Sequence, residues 1–131
     1  MPQLIWVLGG VSIAIVQMSI IIPVMLAIAV AVLLYAFAMF DRLVQAEYER
    51  DREAWEADGR PRGFLWRAPE CTWFRSGWAL SRLSFVWLFT TPAWAAQSTT
   101  CRGWLRRLRV CVLAWNVMIL GLLILTAIVL R

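Results

Sequence analysis

No charged side chain interrupts the chain from Leu4 to Phe40, 37 residues, and none from Val110 to Leu130, 21 residues. As a helix the second run covers about 31 Å, one bilayer core at roughly 1.5 Å per residue. The pattern predicts two membrane spans with a charged segment between them. The first run is longer than one crossing, which takes about 17–25 residues. Met18 to Phe40 suffices alone and leaves Leu4 to Gln17 as surplus. Three arrangements stay open. The surplus extends the helix outward, bent near Pro23, where proline removes a backbone donor. It forms a separate segment in the outer interface, with Gly9, Gly10, Ser12 and Gln17 as its polar edge. Or the run makes two spans of about 18 residues that turn between Gln17 and Pro23, a stretch without Gly, Asn or Asp for the turn. The single bent or extended helix is the favoured reading.

Between the runs the periodicity changes. Asp41 to Asp58 has no proline or glycine, and Val44, Tyr48 and Trp55 recur on one helical face. Arg52 and Glu56 stand at ion-pair spacing, and Gly59 followed by Pro61 is a stop signal. The first helix is therefore expected to continue unbroken for about four or five turns. Gly59 to Gly77 reads as an irregular aromatic loop. Gly77 to Phe89 reads first as an interfacial amphipathic helix, with a helix packed onto the acidic stub and a true or re-entrant span as the alternatives. Against a span, Arg82 would lie inside it and Pro92 interrupts it. Ser98, Thr99 and Thr100 offer an N-cap for a final helix carrying Trp104, Leu108, Cys111 and Trp115 on one face.

The expected fold is thus an all-α membrane protein. It is a two-span antiparallel transmembrane helical hairpin with a cytoplasmic helix extension and an interfacial helix. Its parts are 1–40, an apolar segment and first span; 41–58, the acidic extension; 59–100, an Arg/Trp-rich loop with a helix at about 77–89; and 101–130, the last helix with a span at 110–130. Tyr48 and Trp55 are expected to face Trp104 and Leu108 beyond the bilayer. Within it, close packing falls to the small residues Ala27, Ala31 and Ala38 on one helix and Ala114 and Gly121 on the other. Asn116, the most polar group of the second span, bridges to Ser19 or Gln17 only if their depths match.

Charge sets the orientation. All 13 basic residues are arginine, and 12 of them lie between Arg42 and Arg109. Positive flanks stay in the cytoplasm, which places the central segment inside and both ends outside. The leader has no basic region ahead of its apolar run, so it reads as a retained span rather than a cleaved signal. Asp41 to Asp58 holds seven acids against three arginines; Gly59 to Arg109 holds nine arginines against one acid, Glu70. The acidic stub is expected to neutralise part of the cluster at 102–109. Arg42, Arg82, Arg102, Arg106, Arg107 and Arg109, with Trp78, Trp87 and Trp104, form the set expected at headgroup depth on an anionic leaflet.

Composition then removes chemistry. There is no histidine and no lysine, so an imidazole base, an imidazole metal ligand and a Schiff-base amine are all missing. Cys71, Cys101 and Cys111 form no C-x-x-C pair or zinc pattern and read as reduced thiols. No catalytic, cofactor or metal site is expected. Interleaved Arg and Trp fit lipid headgroups better than nucleic acid, since membrane depth alone explains both.

The order of features carries one resemblance. An N-terminal span leads to a helix ending at Asp58 and Gly59, and a Gly63-Phe64 step follows. An aromatic helix and an arginine-rich lead (Arg102, Arg106, Arg107, Arg109) then enter a C-terminal span. This layout resembles the universal stress protein B family of small bacterial inner-membrane proteins. The resemblance implies a bacterial location and a two-span topology, and no catalytic motif. The expected role is a non-enzymatic accessory, assembly or stress-associated subunit that meets lipid, a protein partner or its own copy. The competing role is a membrane-active oligomer, a holin-like pore or small channel, against which stands the lack of a polar stripe in either span.

Overall fold

The computed structural model describes the backbone from 2 to 129, and side chains at 17 and from 19 to 128. Every element among the described residues is helical: α1 (Pro2–Arg50), α2 (Arg52–Ala57), α3 (Trp73–Phe89), α4 (Ala93–Ala96) and α5 (Thr99–Val129). Two of them, α1 from Ser19 onward and α5, are long and apolar enough to cross a membrane. Pro23 is accommodated inside α1, whose backbone is one helix through the surplus residues. The side chains of 4–16, the polar edge Gly9, Gly10 and Ser12 included, lie outside the described residues.

α1 and α5 pack directly on each other. Arg50 Nη1 donates to Ser98 Oγ at 3.0 Å, and the Arg42 guanidinium stands 5.9 Å from the Trp104 ring centre. As α1 numbers fall, α5 numbers rise, so the two run in opposite directions where they touch. Their shared face is the buried series Ala36, Phe40, Leu43 and Val44 against Cys101, Leu105 and Leu108. Trp55, Leu80, Leu83, Trp87 and Ala95 complete this core. Its centre lies beyond the apolar runs, in a small head built from 36–111. Apolar burial there supplies the packing that a helix pair immersed in lipid would lack.

Three expectations need correction. The first helix does not continue to Asp58: it ends at Arg50. Asp51 takes a non-helical backbone, and its side chain accepts the Ala54 amide at 3.1 Å to cap α2. The turn brings Trp55 back against Tyr48, ring centres 5.0 Å apart, where it is fully buried. The rings that meet Tyr48 are therefore those of Trp55 and Trp66, and the Trp104 ring lies under Arg42. Finally, α3 begins at Trp73, four residues before the expected start at 77.

Two backbone positions make the return path possible. Gly59 has φ +92°, a left-handed conformation that costs a side-chain-bearing residue strain, and Arg60 follows at +57°. A Cβ on Gly63 would collide with Asp41 Oδ1 and sit 3.1 Å from the Trp66 carbonyl oxygen. Glycine there lets the loop close onto α1.

Candidate membrane-interface site

The charged boundary of α1 is built around Asp41. Its carboxylate accepts three successive loop amides: Phe64 at 2.6 Å, Leu65 at 2.8 Å and Trp66 at 2.9 Å. A loop folded back toward an apolar run must satisfy its amides internally, and one carboxylate does so here. The ring of Phe64 is thereby stacked on Phe37 at 3.9 Å, on the charge-free side of Asp41. Leu65, 80% exposed, projects from the tip. The sequence shows Asp41 only as the first charge after a span; its partners lie 23–25 residues away and leave no local pattern.

α3 carries two apolar faces. Ser76, Ala79, Leu80, Leu83 and Trp87 point into the head. On the opposite side Phe74 is 90% exposed, with Trp78 at 79%, Phe85 and Phe89 beside it, at the spacing of one helical stripe. Arg82 lies on its flank and pairs with Asp58, Nη2 to Oδ1 2.9 Å. A helix on a soluble surface turns charge outward; this one turns aromatic rings outward.

The expected headgroup residues therefore divide. Trp78 is exposed, and so are Arg42, Arg102, Arg106 and Arg107. Trp87 is not at a lipid-facing position: it is buried between Phe40 and Trp94, ring centres 5.2 and 5.7 Å away. Trp104 is half-buried under Arg42. Arg82 is held by Asp58 rather than extended freely. Arg109 clamps the end of α3, donating to the carbonyls of Trp87 (3.0 Å) and Thr90 (2.6 Å) and to Thr91 Oγ1 (3.2 Å). The acidic stub does not neutralise 102–109. Its ion pairs, among the described residues, go to Arg52, Arg60 and Arg82. Glu70 pairs with Arg52 at 2.6 Å, which holds its carboxyl below the usual range.

The packing residues shift register as well. Ala27, Ala31 and Gly121 are exposed, and nothing approaches a Cβ placed on Gly121. Ala29, Ala36 and Ala46 are the alanines of α1 that are buried among the described residues, the first two in line with Leu43 seven residues beyond Ala36. Ala38 and Ala114 are half-buried. Leu108 is buried as expected for a contact position. Asn116 donates to its own helix, Nδ2 to the Val112 carbonyl at 2.8 Å. It borders the same cleft as Leu33 and Ala36, so Ser19 lies about 20 Å farther along α1.

One buried group was invisible in the pattern. Glu47 is 0% exposed, and neither carboxylate oxygen has a hydrogen-bond partner. The Trp94 indole Nε1 beside it is likewise buried and unpartnered. Desolvation, then the nearby Asp58 carboxylate, push the Glu47 carboxyl up to about 8. It lies beyond Phe40, outside the apolar run. Cys71 and Cys101 are buried and free, Cys71 Sγ lying 3.6 Å from the Arg60 carbonyl oxygen. Among the described residues no three His, Cys, Asp or Glu side chains converge as metal ligands. Comparisons with protein-family models, curated proteins and solved structures find no match to this chain.

Proposed function

We propose that the chain is a non-enzymatic, two-span protein of a bacterial inner membrane, a transmembrane hairpin whose head rests on the inner leaflet. On this reading the charge-free parts of α1 and α5 cross the bilayer, α3 lies in the interface, and both chain ends face the periplasm. The outward aromatic stripe of α3, Phe74, Trp78, Phe85 and Phe89, is the observation that carries it. Its opposite face is already filled by the head, so the rings need an apolar medium and not a protein core. Arg42, Arg102, Arg106 and Arg107 then meet anionic headgroups, and the rigid head offers a partner or a second copy an anchored surface. An accessory or assembly subunit needs no more than this, and the same holds for a small inner-membrane protein of the kind the layout resembles, the universal stress protein B family.

Cysteine-accessibility mapping tests the placement. In a Cys71→Ser, Cys101→Ser, Cys111→Ser background, Arg67→Cys should label from the cytoplasmic side only. A reporter fused after Arg131 should be active only in the periplasm. Labelling of position 67 from outside would overturn the orientation. A stoichiometric larger complex in a gentle-detergent pull-down would identify the partner.

A further inference from the structure

A cleft of about 350 Å³ opens where α1, α3 and α5 meet, between Phe37 and Phe40, Phe85 and Leu88, and Val112 and Trp115. That volume lies within the range of about 300–1,000 Å³ typical of small-ligand sites. Its α1 wall runs from Leu33 to Phe40, entirely on the charge-free side of Asp41. It therefore extends about 10 Å from the charged boundary toward the apolar end, a third of a bilayer core. Phe64, fixed by the Asp41 clamp, closes the end nearest the head.

The lining chemistry selects the occupant. No charged side chain borders the cleft. Its three polar residues turn their donors into their own helices: Ser81 Oγ to the Gly77 carbonyl, Ser84 Oγ to that of Ser81, and Asn116 Nδ2 to that of Val112. No charged group there offers a phosphate or an amine an ion pair. Water would gain few hydrogen bonds and displace no apolar contact. A flexible hydrocarbon chain fills such a space at little cost in polar desolvation.

We infer that this cleft holds one acyl chain of a membrane phospholipid, as a retained lipid distinct from the exchanging lipid around the helices. The inference rests on the membrane placement proposed above. The head then grips the bilayer in two ways: aromatic rings push down into it, and a lipid chain rises between the helices. Phe64 and Phe85 are the positioning residues at the rim.

The test reconstitutes the protein in bilayers of phosphatidylglycerol and phosphatidylethanolamine, extracts it in a mild detergent, and counts bound phospholipid by native mass spectrometry. One retained phospholipid per chain is expected. Ser84→Trp, which fills the cleft from α3, should reduce that occupancy about tenfold. Ala96→Ser, exposed on α4 and away from the cleft, should leave it unchanged. Should Ser84→Trp not fold, Ser81→Leu provides a smaller obstruction, with an expected loss of the same sign. Absence of retained lipid, or equal retention in the filled variants, overturns the inference while leaving the placement standing. Release of the protein from membranes by alkaline carbonate would overturn the placement itself, and the cleft lipid with it.

Discussion

Glu47 shows how far one side chain can depend on its surroundings. Ionised, it would stand in the head core with only the Trp94 indole beside it to offset its charge, next to Asp58 and near Asp51. The folded protein therefore keeps it protonated up to about pH 8, against an ordinary value of 4.5. Between those values the folded chain holds a proton that the unfolded chain has released. The Glu47 contribution is thus fully present below about pH 4.5 and is lost as pH rises through about 8. Across the window the slope is about 1.4 kcal/mol per pH unit. Glu47→Gln keeps the shape and removes the ionisation. Its thermal midpoint in detergent should exceed that of the parent near pH 8, and the difference should vanish near pH 4.5. Equal midpoints at both ends would show that Glu47 is solvated in the fold. The sequence gives no sign of this, because Glu47 sits among six other acids of a stretch that reads as a solvated face.

At the scale of elements, the long helices were legible and the joints were not. Absence of charge marks α1 and α5 without reference to any partner, and Thr90 with Pro92 marks the end of α3. The break at Asp51 was hidden because Leu, Ala, Glu and Arg on both sides favour helix. Only the N-cap chemistry of Asp51, with Glu53 in the next turn, hints at it. The contact face of α1 was misplaced for a different reason. Alanines stand on every side of that helix, and the head core, through Phe40 and Leu43, decides that Ala29 and Ala36 face inward. The Asp41 clamp joins elements that sequence alone cannot pair, and it is testable. Asp41→Ala leaves three loop amides without an acceptor, at about 1–3 kcal/mol for each that stays buried. Tryptic cleavage after Arg62 and Arg67 should accelerate, and Asp41→Asn, which retains one acceptor oxygen, should fall between. Cleavage at the parental rate in Asp41→Ala would mean that the loop is held by its rings alone.

Taken whole, the molecule separates its charges by task. Three acids of the 41–58 stretch are paired within the head: Asp41 with loop amides, Asp58 with Arg82, and Glu56 with Arg52 and Arg60. Arg102, Arg106 and Arg107 are left on α5 with no ion pair among the described residues. They stand one to two turns before Val110, where the second charge-free run begins. An anionic leaflet at that level attracts each by about 1 kcal/mol, so the three together contribute about 3 kcal/mol. The head should then unfold at a higher temperature in phosphatidylglycerol-containing nanodiscs than in phosphatidylcholine ones. Added salt should narrow the gap, because screening at 0.1 M acts within about 10 Å. The triple change Arg102→Gln, Arg106→Gln, Arg107→Gln should close most of it and leave the phosphatidylcholine midpoint unmoved, since these side chains hold nothing in the fold. A gap that survives the triple change would transfer the lipid preference to other arginines without an ion pair among the described residues, such as Arg42 or Arg75. No gap in the parent would remove the anionic leaflet from the account and leave the rings of α3 as the only grip on the bilayer surface.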